Sequence, residues 1–431
     1  MSPNAVASSR VFLFLQGPHG PFFFQLGRQL RKAGALVWRV GFNTGDSVFW
    51  PQRRSYVPYR GAREGWADFI TDLLQEKGVT DLVLYGDTRW MHAQAATLAK
   101  ARNIRVHVFE EGYLRPYWVS YEIGGANGHS PLMDMPLSAM REAQARGSFD
   151  PPVPPGHWGD MRQHVFYGAL YHWFVMLWNQ RYPQFRPHRS LQVSQEFQLY
   201  IRRLLLMPFQ ALERRLATYR LRRGRFPYHL TLLQLEHDSA FQMHAQFDTQ
   251  YTFLRLVISQ FAAGAPVHHH LVFKAHPLED GRVPLRRDIR RLAREYDISN
   301  RVHYLRGGKL AGILNEARSA VTVNSTSGQQ ALWRGIPLKA FGDAVYDKPE
   351  LVSDQPLAEF FVDPKRPDLE AYREFRQFLL QTSQLPGSFY ASRGRAQLLR
   401  GVVDLMLSGR DPYQIDEQST EAPEQQLRVV R

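Results

Sequence analysis

The chain is 431 residues long, 44% hydrophobic and 22% charged, a composition that excludes wholesale disorder and leaves room for two or three domains. It has no cysteine, which excludes disulfides, thiolate catalysis and every Cys-ligated zinc or iron–sulfur centre. Fifty-four Lys and Arg against 40 Asp and Glu leave a formal charge of +14, so an anionic partner is expected: nucleic acid, a phosphorylated substrate or an anionic membrane.

No targeting signal is expected at the start, because the first apolar run, 11–15, is too short for a signal-peptide core. That run reads as a strand. The turn Gln16-Gly17-Pro18-His19-Gly20-Pro21 follows, then a helix that ends at Gly34. Residues 35–40, 81–85 and 105–109 read as further strands, and 91–102 as a helix. Strands alternating with helices argue for parallel βαβ units, whose ligands bind beyond the carboxyl ends of the strands. Those ends carry Asn43-Thr44-Gly45-Asp46, Gly86-Asp87 and Glu110-Glu111-Gly112.

Four prolines within 150–156 mark a domain boundary. Residues 157–226 then hold 12 arginines, no lysine and three acids. Two helices are expected there, 163–180 and 194–223, the second kinked at Pro208. The apolar core of the first is interrupted by His172 and falls short of the roughly 20 residues that span a bilayer. On the second, Phe197, Ile201, Leu204, Leu205, Leu212, Leu216 and Tyr219 recur at helical spacing among arginines. The pair reads either as a basic face packed on the core or as a surface for anionic lipid.

A second alternating set follows, with strands at 229–235, 270–274, 302–305, 320–324 and 336–341, and helices at 249–262 and 285–296. The chain past Asp411 turns polar and reads as a disordered tail.

Several strand ends of this second set carry chemistry. Ser325-Thr326-Ser327-Gly328 leads into a short helix, where hydroxyls and free backbone N–H groups suit an anion or form an ordinary cap. Lys274-Ala275-His276-Pro277 presents a cation and an imidazole that suit a phosphate, or is a plain surface turn. His268-His269-His270 is a poor chelate, since neighbours on a strand face opposite ways. Glu110-Glu111 and Glu236-His237-Asp238 supply the two carboxylates that glycosyl chemistry uses; singly, each reads as a pair of solvated turn acids. The P-loop, the dinucleotide fingerprint, Asp-x-Asp and the Gly-x-Ser-x-Gly elbow are all missing from the sequence.

Taken together and in order, Gln16-Gly17-Pro18, Phe42-Asn43-x-Gly45-Asp46, Tyr85-Gly86-Asp87-x-Arg89, Phe109 through Pro116, Leu233 through Ser239, Lys274-x-His276-Pro277 and Asn324-Ser325-Thr326-x-Gly328 resemble capsule polysaccharide biosynthesis proteins of the KpsS/LipB type, β-Kdo transferases of Gram-negative bacteria. The resemblance covers about residues 11–351. It implies an α/β fold of two Rossmann-like domains in a GT-B arrangement with the active site between them. The expected division is 1–150 for the acceptor-side domain, 151–226 for the Arg-rich helical segment, 227–410 for the CMP-sugar domain and 411–431 for the tail.

The resemblance further implies a retaining transfer of Kdo from CMP-β-Kdo to a lysophosphatidylglycerol acceptor, starting a poly-Kdo linker. Asp238 matches the family's nucleophile, and Glu110-Glu111-Gly112 its acidic-acidic-Gly motif, in which one glutamate serves as acid/base or contacts the sugar, Glu111 being favoured over Glu110. Lys274, His276 and Pro277, with Asn324, Ser325, Thr326, Ser327 and Gly328, match the motifs that handle the CMP phosphate. Gln16, Gly17, His19, Asn43, Asp46, Asp87, Arg89, Gly112 and Arg115 fall on the acceptor-side cleft. Ser327 and Leu235 stand where the family has Val. No metal or other cofactor is expected. The expected location is cytoplasmic, peripherally attached to the anionic face of the inner membrane, with other capsule assembly proteins as partners and no nucleic acid. The alternatives are a KpsC-like extender of the linker, another CMP-sugar transferase of sialyltransferase type, and a non-enzymatic scaffold for capsule assembly or export.

Overall fold

The computed structural model describes residues 10–146, 161–186, 206, 209, 212–221, 223–279 and 281–413. The proline-rich 150–156, residues 194–205 of the second expected helix and 414–431 of the expected tail lie outside them.

In chain order the strands are β1 (Val11–Phe14), β2 (Leu36–Gly41), β3 (Tyr56–Pro58), β4 (Asp81–Tyr85), β5 (Arg105–Glu111), β6 (Trp118–Ile123), β7 (Tyr228–Leu232), β8 (His270–Lys274), β9 (Val302–Leu305), β10 (Ala317–Thr322), β11 (Leu338–Ala340) and β12 (Gln384–Pro386). The helices are α1 (Phe22–Lys32), α2 (Thr44–Val48), α3 (Trp66–Glu76), α4 (Trp90–Lys100), α5 (Leu137–Ala145), α6 (Met161–Trp178), α7 (Ser239–His244), α8 (Gln250–Gly264), α9 (Leu285–Glu295), α10 (Leu310–Leu314), α11 (Gly328–Leu332), α12 (Leu357–Val362), α13 (Leu369–Gln381) and α14 (Ser392–Ser408). Among the described residues, no helix is long and apolar enough to cross a membrane.

The chain forms two compact units, one of Met1–His188 with Glu374–Arg431, the other of Arg189–Arg373. Each is a Rossmann-like α/β layer. In the first the strand order is β12-β6-β5-β4-β1-β2-β3, parallel from β5 to β3 and antiparallel at β6 and β12. In the second it is β11-β10-β7-β8-β9, parallel throughout. The central strands β1, β7 and β8 are buried along nearly their whole length, as helix-covered parallel strands require, with β1 apolar throughout and β7 carrying buried His229 and Thr231. Caps help to fix the helix starts: Asn43 accepts from the Asp46 N–H at α2, and Thr249 accepts from the Thr252 N–H at α8.

Two of the expected domain limits differ from what the backbone forms. The expected 227–410 domain ends early, because β12 pairs with β6 and α14 packs on α1, both in the first unit. Phe389, Leu398, Val402 and Met406 supply apolar area to the core around Phe12, Phe14 and Phe22, which draws the chain back. The 151–226 segment is likewise divided, with α6 in the first unit and the helical residues 212–221 in the second. Asp411–Tyr413, placed in the tail by sequence, are ordered: Tyr413 is buried and its hydroxyl donates to Glu122 at 2.7 Å.

The first sheet is tied at its lower edge by a buried charge cluster. Asp81 accepts from Arg10 and is within 2.8 Å of His107 Nε2, and the Arg10 guanidinium also donates to the Met406 and Leu407 carbonyls at the end of α14. In the second unit two of the three adjacent histidines go to different partners, while the His268 ring lies 4.6 Å from that of His269. His269 Nδ1 lies 3.0 Å from His229 Nε2, while His270 Nδ1 lies 2.9 Å from His303 Nε2.

Burial, with cationic neighbours, holds His229 down to about 3, and His269 and His303 down to about 4. The unfolded chain takes up these protons near 6.5, so this contribution to stability is whole above that value and drains away as pH falls towards 4. His303→Phe keeps the stack on Phe226 (5.0 Å) and removes one such group. Its thermal midpoint is expected to fall less than that of the wild type between pH 7 and pH 4.5. An equal fall in both proteins contradicts the assignment.

Candidate functional site

Read from β9 to β11, the second sheet runs third, second, first, fourth, fifth, so its topological switch point lies between β7 and β10. Leu232 pairs with both Thr322 and Lys274, so the chain leaves β10, β7 and β8 at one level. The loops carrying Ser325-Thr326-Ser327, Asp238 and His276 therefore start side by side at the carboxyl edge.

A buried amide pair bridges the switch point. Gln234 Nε2 donates to Asn324 Oδ1 at 2.6 Å, and the Asn324 N–H donates back to Gln234 Oε1 at 3.0 Å. Asn324 Nδ2 donates to the His244 carbonyl, and Gln250 Nε2 donates to the Gln234 carbonyl. Asn324, expected to touch the donor, is thus engaged at both ends of its amide as scaffold.

The acids of Glu236-His237-Asp238 have different surroundings. Glu236 accepts from the Gln250 N–H at 2.7 Å, where its charge also suits the start of α8. Asp238 precedes α7, and its backbone is fixed by the N–H bond to Leu235 O and by Phe241 and Gln242 donating to its carbonyl. Its carboxylate is exposed and makes no hydrogen bond or ion pair among the described residues. An unquenched carboxylate on a fixed backbone is available as a nucleophile or as a charge stabiliser.

Lys274 ends β8 with its side chain buried, and its ammonium has no partner among the described residues; burial lowers its pKa. His276 is half-buried, and its Nδ1 accepts from the Leu278 N–H at 3.1 Å. With Nδ1 accepting, the proton of the neutral ring is on Nε2. Pro277 beside it is exposed.

The Ser-Thr-Ser turn is less of a helix-terminus site than the sequence suggests. The helix α11 has only five residues, so little dipole accumulates. The N–H groups of Gly328, Gln329 and Gln330 are spent on the carbonyls of Ser325, Thr326 and Ser327, and the Ser327 N–H on Ser325 Oγ. What the turn offers a ligand is hydroxyl groups, those of Thr326 and Ser327. Gly328 is fixed by space, since a Cβ there stands 2.7 Å from the Tyr346 hydroxyl.

The first sheet repeats the strand order, with its switch point between β1 and β4. Here too a glutamine bridges it: Gln16 Oε1 accepts from Arg89 Nη1 at 2.6 Å. Gln16 Nε2 donates to Tyr171 of α6 at 2.7 Å and to Asp46 at 3.3 Å. Asp46 also accepts from the Phe42 N–H and pairs with Arg39, and Asn43 Nδ2 donates to the Tyr171 hydroxyl. Gln16, Asn43 and Asp46 are all buried, so these three expected cleft residues are interior groups that seat α6. Beside Gly17, His19 stacks on the Tyr171 ring at 4.3 Å.

Glu110 and Glu111 end β5 half-buried. Glu110 Oε1 accepts from the Glu111 N–H, and Glu111 Oε1 accepts from the Tyr85 hydroxyl at 3.4 Å. Tyr85 is also hydrogen-bonded to Tyr390, whose ring lies 4.2 Å from that of His164. The Arg89 guanidinium sits over the Tyr85 ring at 5.6 Å. Glu111 thus has a tyrosine donor and a nearby cation, while Glu110 turns back on its own backbone. Gly112 is dictated by sterics: a Cβ there meets the Trp118 carbonyl oxygen at 2.3 Å. Arg115 is exposed and its Nε donates to the Gly112 carbonyl at 3.3 Å.

Behind this turn, the Tyr113, Ser130 and Tyr413 hydroxyls all donate to Glu122, which burial pushes up to about 7. Asp87 is buried, accepts from the Ala126 N–H and faces His129 at 3.2 Å, so it fixes a loop. Sequence reasoning did not reach Tyr171, Tyr390, His164 or Glu122. Tyr171 lies in an apolar run and Tyr390 far down the chain, so neither carries a local signal.

Each unit is Rossmann-like, with polar loops gathered at the switch point of its own sheet. The capsule polysaccharide biosynthesis protein family model matches residues 80–390, and the chain belongs to that family. It is 30% identical over 398 residues to the capsule polysaccharide export protein KpsS of Escherichia coli, covering 90% of this chain and all of that one. It is 30% identical over 396 residues to the capsule polysaccharide modification protein LipB of Neisseria meningitidis serogroup B, covering 90% and 93%. Among solved structures, the β-Kdo 2,7 transferase of Thermosulfurimonas dismutans KpsC is similar at 14% identity, with a TM-score of 0.43 over 92% of this chain and 100% of that one.

The amide bridge gives a direct expectation. Gln234→Leu takes away the partner of the buried Asn324 Oδ1 and of the Asn324 backbone N–H, which costs about 1–3 kcal/mol. Denaturant unfolding should read that loss; wild-type stability in the variant contradicts the bridging role.

Proposed function

We propose that the protein is a retaining β-Kdo transferase of GT-B type that moves Kdo from CMP-β-Kdo to a lysophosphatidylglycerol acceptor and so starts a capsular linker. Membership of the capsule family supports this reading. The observation that carries it is the Asp238 carboxylate, exposed and without a hydrogen bond or ion pair among the described residues, at the carboxyl edge that also presents Lys274 and His276.

In the first displacement an Asp238 oxygen attacks the anomeric carbon. The bond from that carbon to the CMP phosphate oxygen breaks, and CMP leaves with the electron pair. Lys274 and His276 Nε2–H offset the charge that develops on the phosphate, with the Thr326 and Ser327 hydroxyls as further donors. In the second displacement the acceptor hydroxyl attacks the same carbon and gives its proton to a general base, and the bond from that carbon to Asp238 breaks, releasing the carboxylate. Two inversions return the β configuration.

Peripheral attachment to an anionic inner-membrane surface belongs to the same proposal. α6 buries Tyr171 and Val175 on one side and leaves Val165, Phe166, Trp173, Met176, Leu177 and Trp178 exposed. The helical residues 212–221 expose Leu212, Leu216 and Tyr219 next to Arg215 and Arg220. Apolar side chains beside arginines suit an interface of acyl chains and phosphates.

Mass spectrometry of products from CMP-Kdo and synthetic lysophosphatidylglycerol should show one added Kdo. A ladder of additions points instead to a linker extender, and no product with this donor removes the Kdo reading. Asp238→Ala should lose on the order of a thousandfold in rate; wild-type turnover in that variant refutes double displacement through it. Activity should survive EDTA, since Lys274 and His276 are assigned the charge that a metal otherwise carries. Loss on EDTA treatment and recovery with magnesium contradict that assignment.

A further inference from the structure

We propose that the groove between α1 and α14, on the first unit, is a binding site for a phosphate-bearing anion. It encloses about 700 Å³ and is lined by Arg28, Lys32, Arg395 and Arg400, with Asp404 as its one acid. Arg28 and Lys32 are one helical turn apart on α1 and share a face. Neither they nor Arg400 make a hydrogen bond or ion pair among the described residues, and all three are exposed.

Arg395 is different, being 6% exposed and built in. Its Nε donates to Gln25 Oε1 at 2.8 Å and its Nη1 to the Tyr390 carbonyl at 2.7 Å, which fixes the guanidinium at the groove wall. A rigid guanidinium with three mobile cations around it matches the doubly charged, multi-oxygen surface of a phosphate. Four cations against one carboxylate in a concave wall also repel one another, and a bound anion relieves that repulsion. The groove has room for more than a bare phosphate ion. A lipid headgroup and a soluble phosphorylated compound both offer this chemistry. The site is independent of the transfer reaction proposed above.

Lys32 reports on the site without any substitution. The full-length protein is labelled with an amine-acetylating ester, and modification of Lys32 is followed by peptide mass spectrometry against exposed Lys100 as internal reference. Pyrophosphate, or vesicles containing phosphatidylglycerol but not phosphatidylcholine alone, should slow acetylation of Lys32 at least threefold relative to Lys100. Protection by pyrophosphate identifies a soluble ligand class, and protection by the anionic vesicles alone identifies a headgroup. The double variant Arg28→Ser with Arg400→Ser should lose the protection. Unchanged Lys32 labelling with both probes, or full protection in the double variant, overturns the proposal.

Discussion

Three parallel strands in one register govern what the second unit can do. Because Leu232 stands in register with both Thr322 and Lys274, the three loops that follow begin at one height. The Gln234–Asn324 amide pair then fixes two of the loops to each other where the strand order reverses. The first sheet uses the same device, with Gln16 joined to Arg89. In both sheets the glutamine stands two residues past the end of the first strand. A crevice kept open by a reversal of strand order has unpaired backbone and polar side chains on both lips, and one buried amide on each side holds those lips at fixed spacing.

Rigid lips leave a few groups unengaged. Most polar side chains at these edges are committed: Asn43, Asp46, Asp87, Glu236 and Asn324 all hold loops or helix starts. Against that background the exposed carboxylate of Asp238 and the buried ammonium of Lys274 stand out as side chains with no hydrogen bond or ion pair among the described residues. The cost of keeping Lys274 charged beneath the surface is offset when an anion sits above it. The phosphate of a sugar nucleotide has that charge.

Much of the fold was legible because buried parallel strands announce themselves as short apolar runs between turn residues. β1, β4, β8 and β9 fall on or within a residue of the runs that marked them. What stayed hidden is long-range. Nothing near residue 384 says that a three-residue strand pairs with β6, or that Arg395 and Tyr390 belong to the first unit, because that return is decided by apolar area on α14 meeting Phe22 and Phe12. At the site, residue types were readable and their duties were not. Asp46 and Asp238 look alike in sequence, yet one is closed beneath Tyr171 and the other faces solvent. The hydroxyl turn was found, but its backbone donors proved to be consumed within a five-residue helix, which shifts the expected phosphate contacts to side chains.

Intact-protein mass spectrometry after incubation with CMP-Kdo and rapid acid quench, without acceptor, tests the nucleophile most directly. One Kdo unit should be found esterified to the protein, and peptide mapping should locate it on Asp238. An unmodified chain under conditions that give product once acceptor is added, or a sugar found on another residue, contradicts the mechanism.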